Sequence, residues 1–297
     1  MIKVCRIGHA TFETPDIERQ IDYHARVTGL ALVAREKDRA FFAGRAGELA
    51  FELVRADQAR CTKLSFEIAA TDSFANVAKE LSGHGIKSEV RSDSIPGTPQ
   101  VLTFQDPKGT TIELFQEWKG VGFDLSPGGI GPMKLGHVAF VTKDPKAISE
   151  FYAKVLGFRV SDWISDFFVF MRCNCDHHTV NFIRGSRPMI HHMALELRDF
   201  SHMQAACDLF GQKDVPIIWG PVRLGPGHNV AIFHRNPDDH VVEMFIELDQ
   251  MKDEALNYFD PRPWHRDKPQ RPKVWKGIEG SYIWGPPPTP DFMRDRT

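Results

Sequence analysis

His137, His192 and Glu243 are the residues of this 297-residue sequence best suited to gather a divalent metal. Each lies in a short apolar stretch that reads as a β-strand. Two imidazoles and one carboxylate drawn from separate strands are the ligand set of mononuclear non-haem Fe(II) sites, which keep coordination positions open. Open positions let a bidentate substrate and a gas molecule meet on one ion. The carboxylate offsets one unit of metal charge, and an anionic substrate offsets more. Alternation gives His137, Ala139 and Val141 one strand face, and His192, Ala194 and Glu196 another. Taken singly, each residue is unremarkable: a strand histidine is more often hydrogen-bonded core or surface, and a strand glutamate is usually solvated.

Their position in an internal repeat sets them apart. Ile7-Gly8-His9-Ala10-Thr11-Phe12 matches Leu135-Gly136-His137-Val138-Ala139-Phe140 at an offset of 128 residues. Leu64-Ser65-Phe66-Glu67 matches Met193-Ala194-Leu195-Glu196 at 129. Asp106-Pro107 followed by Ile112-Glu113-Leu114-Phe115 matches Asn236-Pro237 followed by Val242-Glu243-Met244-Phe245 at 130. The counterparts of the three ligands are therefore His9, Lys63 and Glu113. An ammonium repels a metal, so the first copy reads as degenerate and His9 and Glu113 as relics. Nine of the thirteen histidines fall between His137 and His240, which also puts the chemistry in the second copy.

Each copy must supply strands and helices to hold these residues. In the second, Asp144 caps a helix, Pro145 suits its first position and Gly157 ends it; Ile148, Phe151, Tyr152, Val155 and Leu156 share one face. A similar element runs from Asp16 to Gly29. Second helices are expected near Thr71–Leu81, before Gly83, and at Asp199–Phe210, before Gly211. Short strands fill the rest: 40–43, 48–54, 100–104 and 111–115, then 167–172, 179–183, 193–197, 230–234 and 241–246. The reading is α+β, with a first module over 1–125, a Gly-Pro linker over 126–133, a second module over 134–250 and a C-terminal arm over 251–297. Eight prolines in the arm exclude regular helix and central strand. Its aromatic content, with Trp264, Trp275, Tyr282 and Trp284, predicts an extended segment packed on the body or on a neighbouring subunit.

At the level of motifs the chain resembles the type I extradiol ring-cleavage dioxygenases, the two-domain branch of the vicinal oxygen chelate superfamily. Leu135-Gly136-His137-Val138, Phe170-Met171-Arg172-Cys173-Asn174 with His177-His178-Thr179, the His191-His192 pair, Gly220-Pro221-x-Arg223 and Asn236-Pro237 ahead of Glu243 carry the resemblance. It spans about residues 5–250. It implies paired βαβββ modules forming half-open barrels, with Fe(II), or in some members Mn(II), held in the second. It also implies a catechol-type aromatic diol and O2 as substrates, opening of the ring beside the diol, and homo-oligomeric assembly. By the resemblance His178 is the acid–base residue; His177 would face the other way, and one of the pair is structural. His191 would sit beside its ligand neighbour at the barrel rim without ligating.

Two positions depart from the pattern. Where the family places a His nineteen residues before the ligand Glu, this chain has Leu224, and where it places a Tyr ten residues before, this chain has Phe233. His228 follows Gly225-Pro226-Gly227, a loop able to carry it inward as a second catalytic candidate; His234 is another compensating group. Phe170, Phe182 and Phe233 are expected to contact substrate, together with Phe167, Phe168 and Trp219. Arg223 meets an anionic substituent or forms a surface ion pair.

Composition bounds the alternatives. With 37 basic and 39 acidic residues there is no electrostatic case for nucleic acid or a membrane surface. No apolar run approaches the roughly 20 residues that span a bilayer. Met1–Arg6 leads directly into a strand, so no signal peptide is expected and the reading is cytoplasmic. Five cysteines suggest no disulfide framework; Cys173 and Cys175 read as free buried thiols. Two competing functions remain: a glyoxalase-like lyase or isomerase drawing ligands from both modules, and a metal-free protein that binds aromatic ligands.

Overall fold

The computed structural model describes residues 2–92, 95–116, 118–120, 128–260, 270–277 and 281–294. β1 (Val4–Thr14), β2 (Ala31–Arg35), β3 (Arg39–Ala43), β4 (Leu49–Arg55), β5 (Arg60–Ile68), β6 (Ser88–Arg91), β7 (Val101–Gln105) and β8 (Thr111–Phe115) build one sheet. Its order is β2-β3-β4-β1-β5-β8-β7-β6. β9 (Lys134–Thr142), β10 (Arg159–Ile164), β11 (Phe168–Arg172), β12 (Val180–Arg184), β13 (Met189–Glu196), β14 (Trp219–Leu224), β15 (Val230–Arg235) and β16 (Val241–Ile246) repeat that order in a second sheet. Helices α1 (Ile17–Tyr23), α2 (Phe74–Gly83), α3 (Pro145–Leu156) and α4 (Phe200–Gln212) each follow the first strand of a βαβββ unit. The fold is thus α+β, four such units in two pairs. Among the described residues, no helix is long and apolar enough to cross a membrane.

Local chemistry explains the helices. Asp144 accepts a hydrogen bond from Ala147 N, Pro145 starts α3, and Gly157 closes it with a left-handed φ of 73°. Asp16 and Asp199 cap α1 and α4 in the same manner. The first element is not one α-helix: a π-helical turn over His24–Thr28 carries it to Gly29. Gly211 does not stop α4, which continues to Gln212, because it does not take the left-handed φ with which Gly29 and Gly157 end their helices.

The repeat reaches into the packing. Gly8 and Gly136 each precede a histidine, and a Cβ on either would meet a phenylalanine ring, Phe115 at 2.5 Å and Phe245 at 2.4 Å. Those rings lie two residues beyond Glu113 and Glu243. Glycine is therefore required in both copies so that the ring can lie against the strand that bears the histidine. The modules meet through buried contacts, Tyr152 Oη donating to Asp106 Oδ2 at 3.1 Å and Tyr23 Oη lying 2.6 Å from His234 Nε2.

The C-terminal segment differs from a purely extended arm. β17 (Lys273–Trp275) pairs parallel with β10, and β18 (Tyr282–Trp284) pairs antiparallel with β14. Both edges of the second sheet are thereby extended, and edges are where a proline-rich chain can pair. A short helix, α5 (Pro290–Met293), follows, with Pro290 in its first turn, where the missing N–H is harmless. Ser126 and Pro127 of the linker, and Pro261, Pro263, Trp264, His265 and Pro269, lie outside the described residues.

The close glycine contact generates a prediction. Gly136→Ala should force the Phe245 ring off its seat and lower stability by about 1–3 kcal/mol, as overpacking does, read as a lower urea midpoint. Gly8→Ala should act similarly through Phe115.

Candidate metal centre and pocket

β9, β13 and β16 are adjacent at the centre of the second sheet, and each contributes one side chain to a single point. Ala194 on β13 pairs with His137 on one side and Glu243 on the other. Its methyl leaves room above it for both. His192 enters two residues earlier on the same strand, next to an irregularity in register between Ile190 and His192. His137 Nε2 and His192 Nε2 are 3.3 Å apart. Glu243 Oε2 is 3.2 Å from the first and 3.3 Å from the second. All three residues are buried.

This triangle fits a metal. Donors held about 2.1 Å from one ion stand about 3.0 Å apart at octahedral angles and about 3.4 Å apart at tetrahedral ones. Three such atoms facing one another repel unless a proton or a metal ion lies among them. Among the described residues, the charged partners of Glu243 are only these two histidines, with no Lys or Arg in reach. A buried carboxylate without a cation is costly. Asn229 Nδ2 donates to Glu243 Oε1 at 2.7 Å and so turns Oε2 toward the histidines.

The first module shows the alternative solution. Lys63 Nζ stands 3.1 Å from Glu113 Oε2 and 3.3 Å from Glu52 Oε2. His9 Nε2 lies 3.5 Å from Glu113 Oε1. Lys63 pairs with Thr111, and Ser65 with Glu113, in the register that His192 and Ala194 keep with Val241 and Glu243. The same frame thus holds an ammonium in place of a metal. Burial opposes the charge on Lys63, but Glu113 and Glu52 outweigh it and its pKa is raised. Burial lowers the His9 pKa against the opposing pull of Glu113. Burial would raise the Glu52 carboxyl, yet Lys63, His9, a bond from Thr11 and Arg39 hold it down to about 2.

Sequence comparison agrees with this duplicated frame. The sequence model of the Glyoxalase/Bleomycin resistance protein/Dioxygenase superfamily matches residues 6–114 and again 134–244. The chain belongs to this superfamily. It is 21% identical to the manganese-dependent 2,3-dihydroxybiphenyl 1,2-dioxygenase of Geobacillus genomosp. 3, over 93% of this chain and 95% of that one. It is 24% identical to 3-methylcatechol 2,3-dioxygenase of Pseudomonas putida, over 82% and 89%. The solved Mn(II)-bound glyoxalase from Novosphingobium aromaticivorans superposes with a TM-score of 0.81 at 25% identity, over 98% of this chain and 95% of that one.

In this superfamily member a largely apolar pocket opens beside the three donors. Phe167, Phe168, Phe170, Trp219 and Phe233 line it, as do Ile164, Leu224 and Pro226. His178 lines it too, its ring 4.3 Å from that of His137, centroid to centroid. Burial, then His137, His177 and His192, push the His178 pKa well below the usual imidazole value, which leaves the ring neutral. Besides the three clustered donors, His178 is the one titratable group among the described lining residues.

Several expected residues lie elsewhere. Phe182 points away from the pocket and packs on Tyr152 and Phe140, because strand alternation gives Asn181 and Ile183 the inner face. Arg223 is not among the residues lining this pocket; its guanidinium pairs with Glu247 at 2.9 Å and donates to His228 O. Leu224, its neighbour, faces in instead. His228 is not among the lining residues. Its Nδ1 is 2.6 Å from Asp249 Oδ2, and a φ of 50° turns it into the wall behind the pocket. His234 contacts Tyr23 of the first module, so neither histidine stands in for the groups absent at Leu224 and Phe233. His191 touches its ligand neighbour, Nδ1 to Nδ1 at 2.6 Å. Cys173 is buried but Cys175 is exposed, since β11 ends at Arg172 and the chain turns.

Sequence patterns missed Asn181, Ser281 and Phe292, all of which line the pocket. Alternation from His178 would not have found Asn181, because a spacing of three predicts the opposite face; His178 precedes β12, so the phase does not carry over. Nothing in the tail marked Phe292, which α5 inserts against Trp219 and Phe233 at centroid distances of 4.5 and 4.8 Å.

The ion-pair network of the first module generates a pH prediction. A carboxyl whose pKa is depressed on folding stabilises the fold above its unfolded value and loses that contribution as pH falls through its folded value. For Glu52 the window runs from 4.5 down to about 2. Glu52→Gln should therefore be less stable than the parent at neutral pH, and the gap should close across that window in urea midpoints.

Proposed function

We propose that this chain cleaves a catechol-type aromatic diol with O2, in the extradiol sense, at one divalent ion held by His137, His192 and Glu243. The observation that carries this reading is the buried donor triangle, open on one side to an aromatic-walled pocket that contains a neutral histidine. The similarity to diol dioxygenases over nearly the whole chain supports it. We take the resident ion to be Fe(II), with Mn(II) as the alternative. Bound there, it supplies a Lewis-acid site at which diol and O2 share one coordination sphere.

The remaining work falls to the protein. Asn229 holds Glu243 in orientation. Phe168, Phe170, Trp219 and Phe233 accept the flat ring and exclude water. His178 takes a diol proton and later returns it. Asn181 is fully buried, and neither its Oδ1 nor its Nδ2 has a hydrogen-bond partner among the described residues. Its amide is thus left to hydrogen-bond the bound reactants, in a pocket where Leu224 and Phe233 offer no polar group. The first module, over 1–125, serves as a scaffold for the second, over 134–250.

The lyase reading needs ligands from both modules. Lys63 stands between the first module's candidates as a built-in cation and disfavours it. Homo-oligomeric assembly and a cytoplasmic setting complete the proposal. Exposed Val274, Ile283 and Trp284 on the sheet's two edge strands support the first, and five free thiols the second.

Anaerobic loading with Fe(II), then exposure to oxygen with 2,3-dihydroxybiphenyl and 3- and 4-substituted catechols, tests the reading. A yellow ring-opened product should form, should vanish with a chelator, and should be absent in His192→Ala together with bound metal. Stoichiometric iron without product from any diol would reject it. Asn181→Leu carries an opposed pair of expectations. Removing unpaired buried polar atoms should keep or raise the melting temperature, while KM for the diol rises by about tenfold, the worth of one hydrogen bond of about 1.4 kcal/mol.

A further inference from the structure

A second cavity lies between the two modules, apart from the metal centre. It encloses about 710 Å³ and shares no lining residue with the pocket beside the three donors. Small-molecule sites commonly run to about 300–1,000 Å³ and favour the boundary between domains. The first module supplies Arg60 at the start of β5 and Lys108 in the turn between β7 and β8. The second supplies Phe140 of β9, Arg187 from the loop between β12 and β13, and Met189 and Ile190 at the start of β13. Phe140 stacks on Phe182, which faces away from the donors, so the cleft lies behind the strands whose other face gathers them.

The floor of the cleft is apolar. Ile190 is the register partner of Phe140, and Met189 precedes it. Met189 is 40% exposed, an apolar side chain that a ligand would take out of water. A thioether beside an aromatic ring suits a flat ring above them.

The walls carry one positive charge more than they neutralise. The charged side chains that line the cleft are Glu13, Arg60, Lys108 and Arg187. Arg60 Nε donates to Glu13 Oε2 at 2.5 Å, so that pair is self-contained. The Lys108 side chain is 5% exposed and is matched from behind by Asp106, with Nζ donating to Oδ2 at 2.7 Å. The same ammonium donates to Thr110 and stands 4.0 Å from the centre of the Phe140 ring, which fixes it at the edge of the apolar floor. Arg187 is exposed and has no carboxylate partner among the described residues. Three cations face Glu13 in the wall and Asp106 behind it, and the guanidinium of Arg187 is the one unmatched.

We propose that this inter-module cleft is a binding site for a small aromatic monocarboxylate, its carboxylate on Arg187 and its ring over Met189, Ile190 and Phe140. A guanidinium holds a carboxylate through two parallel N–H donors. A neutral ring of the same shape leaves that fork unused. A small anion without a ring leaves the floor wet. A second carboxylate on the ligand would exceed the single unmatched charge. The site stands apart from the reaction proposed above, because none of its residues faces the donor triangle.

Methyl NMR on the full chain, metal-free and loaded with diamagnetic Zn(II), tests this with benzoate as the probe. The Met189 and Ile190 methyls report on the cleft, and the Ile164 methyl reports on the metal pocket. Benzoate should move the first two, half-saturating at about 1 mM or below, and leave Ile164 in place. Benzamide, neutral and of the same shape, and acetate, charged but without a ring, should each bind at least about tenfold more weakly. Arg187→Gln removes the unmatched charge and Met189→Glu sets a carboxylate at the floor; both positions are exposed, so both chains should keep the parent fold. Each should weaken benzoate by about three- to tenfold. No movement at Met189 or Ile190 up to about 10 mM, or movement confined to Ile164, would overturn the proposal. Equal binding of benzamide would reduce the cleft to an apolar crevice, and equal binding of acetate to a bare surface cation. Unchanged affinity in Arg187→Gln would likewise reject the site as drawn.

Discussion

Two imidazole nitrogens and a carboxylate oxygen within 3.2–3.3 Å of one another, all buried, form an arrangement that needs a shared proton or a metal ion to be tolerable. Much of the second module follows from maintaining it. The three central strands must stay in register, Ala194 must stay small between His137 and Glu243, and Gly136 must leave room for Phe245. Asn229 must hold the far oxygen of the carboxylate. The sheet brings together a donor set that could hold a cation, and Asn229 helps to orient it.

The first module tests this view within the same molecule. Strand order, register and the glycine–phenylalanine contact are all retained, but a lysine replaces the second histidine. Its ammonium sits between Glu113 and Glu52 and neutralises what a metal would otherwise neutralise. A duplicated frame has therefore met one electrostatic demand twice, once with a side chain of its own and once with a donor set suited to an ion. The covalent solution is closed and needs no solvent access. The coordinating one leaves positions open, and the pocket lies beside it.

Around that opening the walls are mostly apolar, and the few polar groups are consequential. His178 is backed by His177 and Asp162, and among the described residues Asn181 has no partner for either amide atom. Leu224 and Phe233 remove polarity from the opposite wall. Asp162 in turn depends on backbone and indole donors from β17, while Phe292 from α5 closes part of the pocket. The C-terminal segment is thus continuous with the site in packing terms, though it lies beyond the repeat.

Sequence alone determined the duplication, the strand and helix order, and which copy could hold a metal. These are local or periodic properties: apolar alternation, capping residues, a lysine where a histidine recurs. It also singled out His137, His192, Glu243 and His178, which the structure brings to one pocket, since spacing in a repeat survives without coordinates. It misjudged Phe182 by one residue of strand phase and took His228 toward the pocket when Asp249 in the wall holds it; of the two readings left open for Arg223, the ion pair is the one formed, with Glu247. Only the tertiary structure decided that Asn181 and Phe292 line the cavity, that Asp162 stands behind His177, and that the tail pairs with both edges of the second sheet. Those outcomes depend on contacts that are not local in sequence, reaching 113 positions between Asp162 and Trp275, whose partners carry no local pattern, so the long-range packing had to be seen before they could be read.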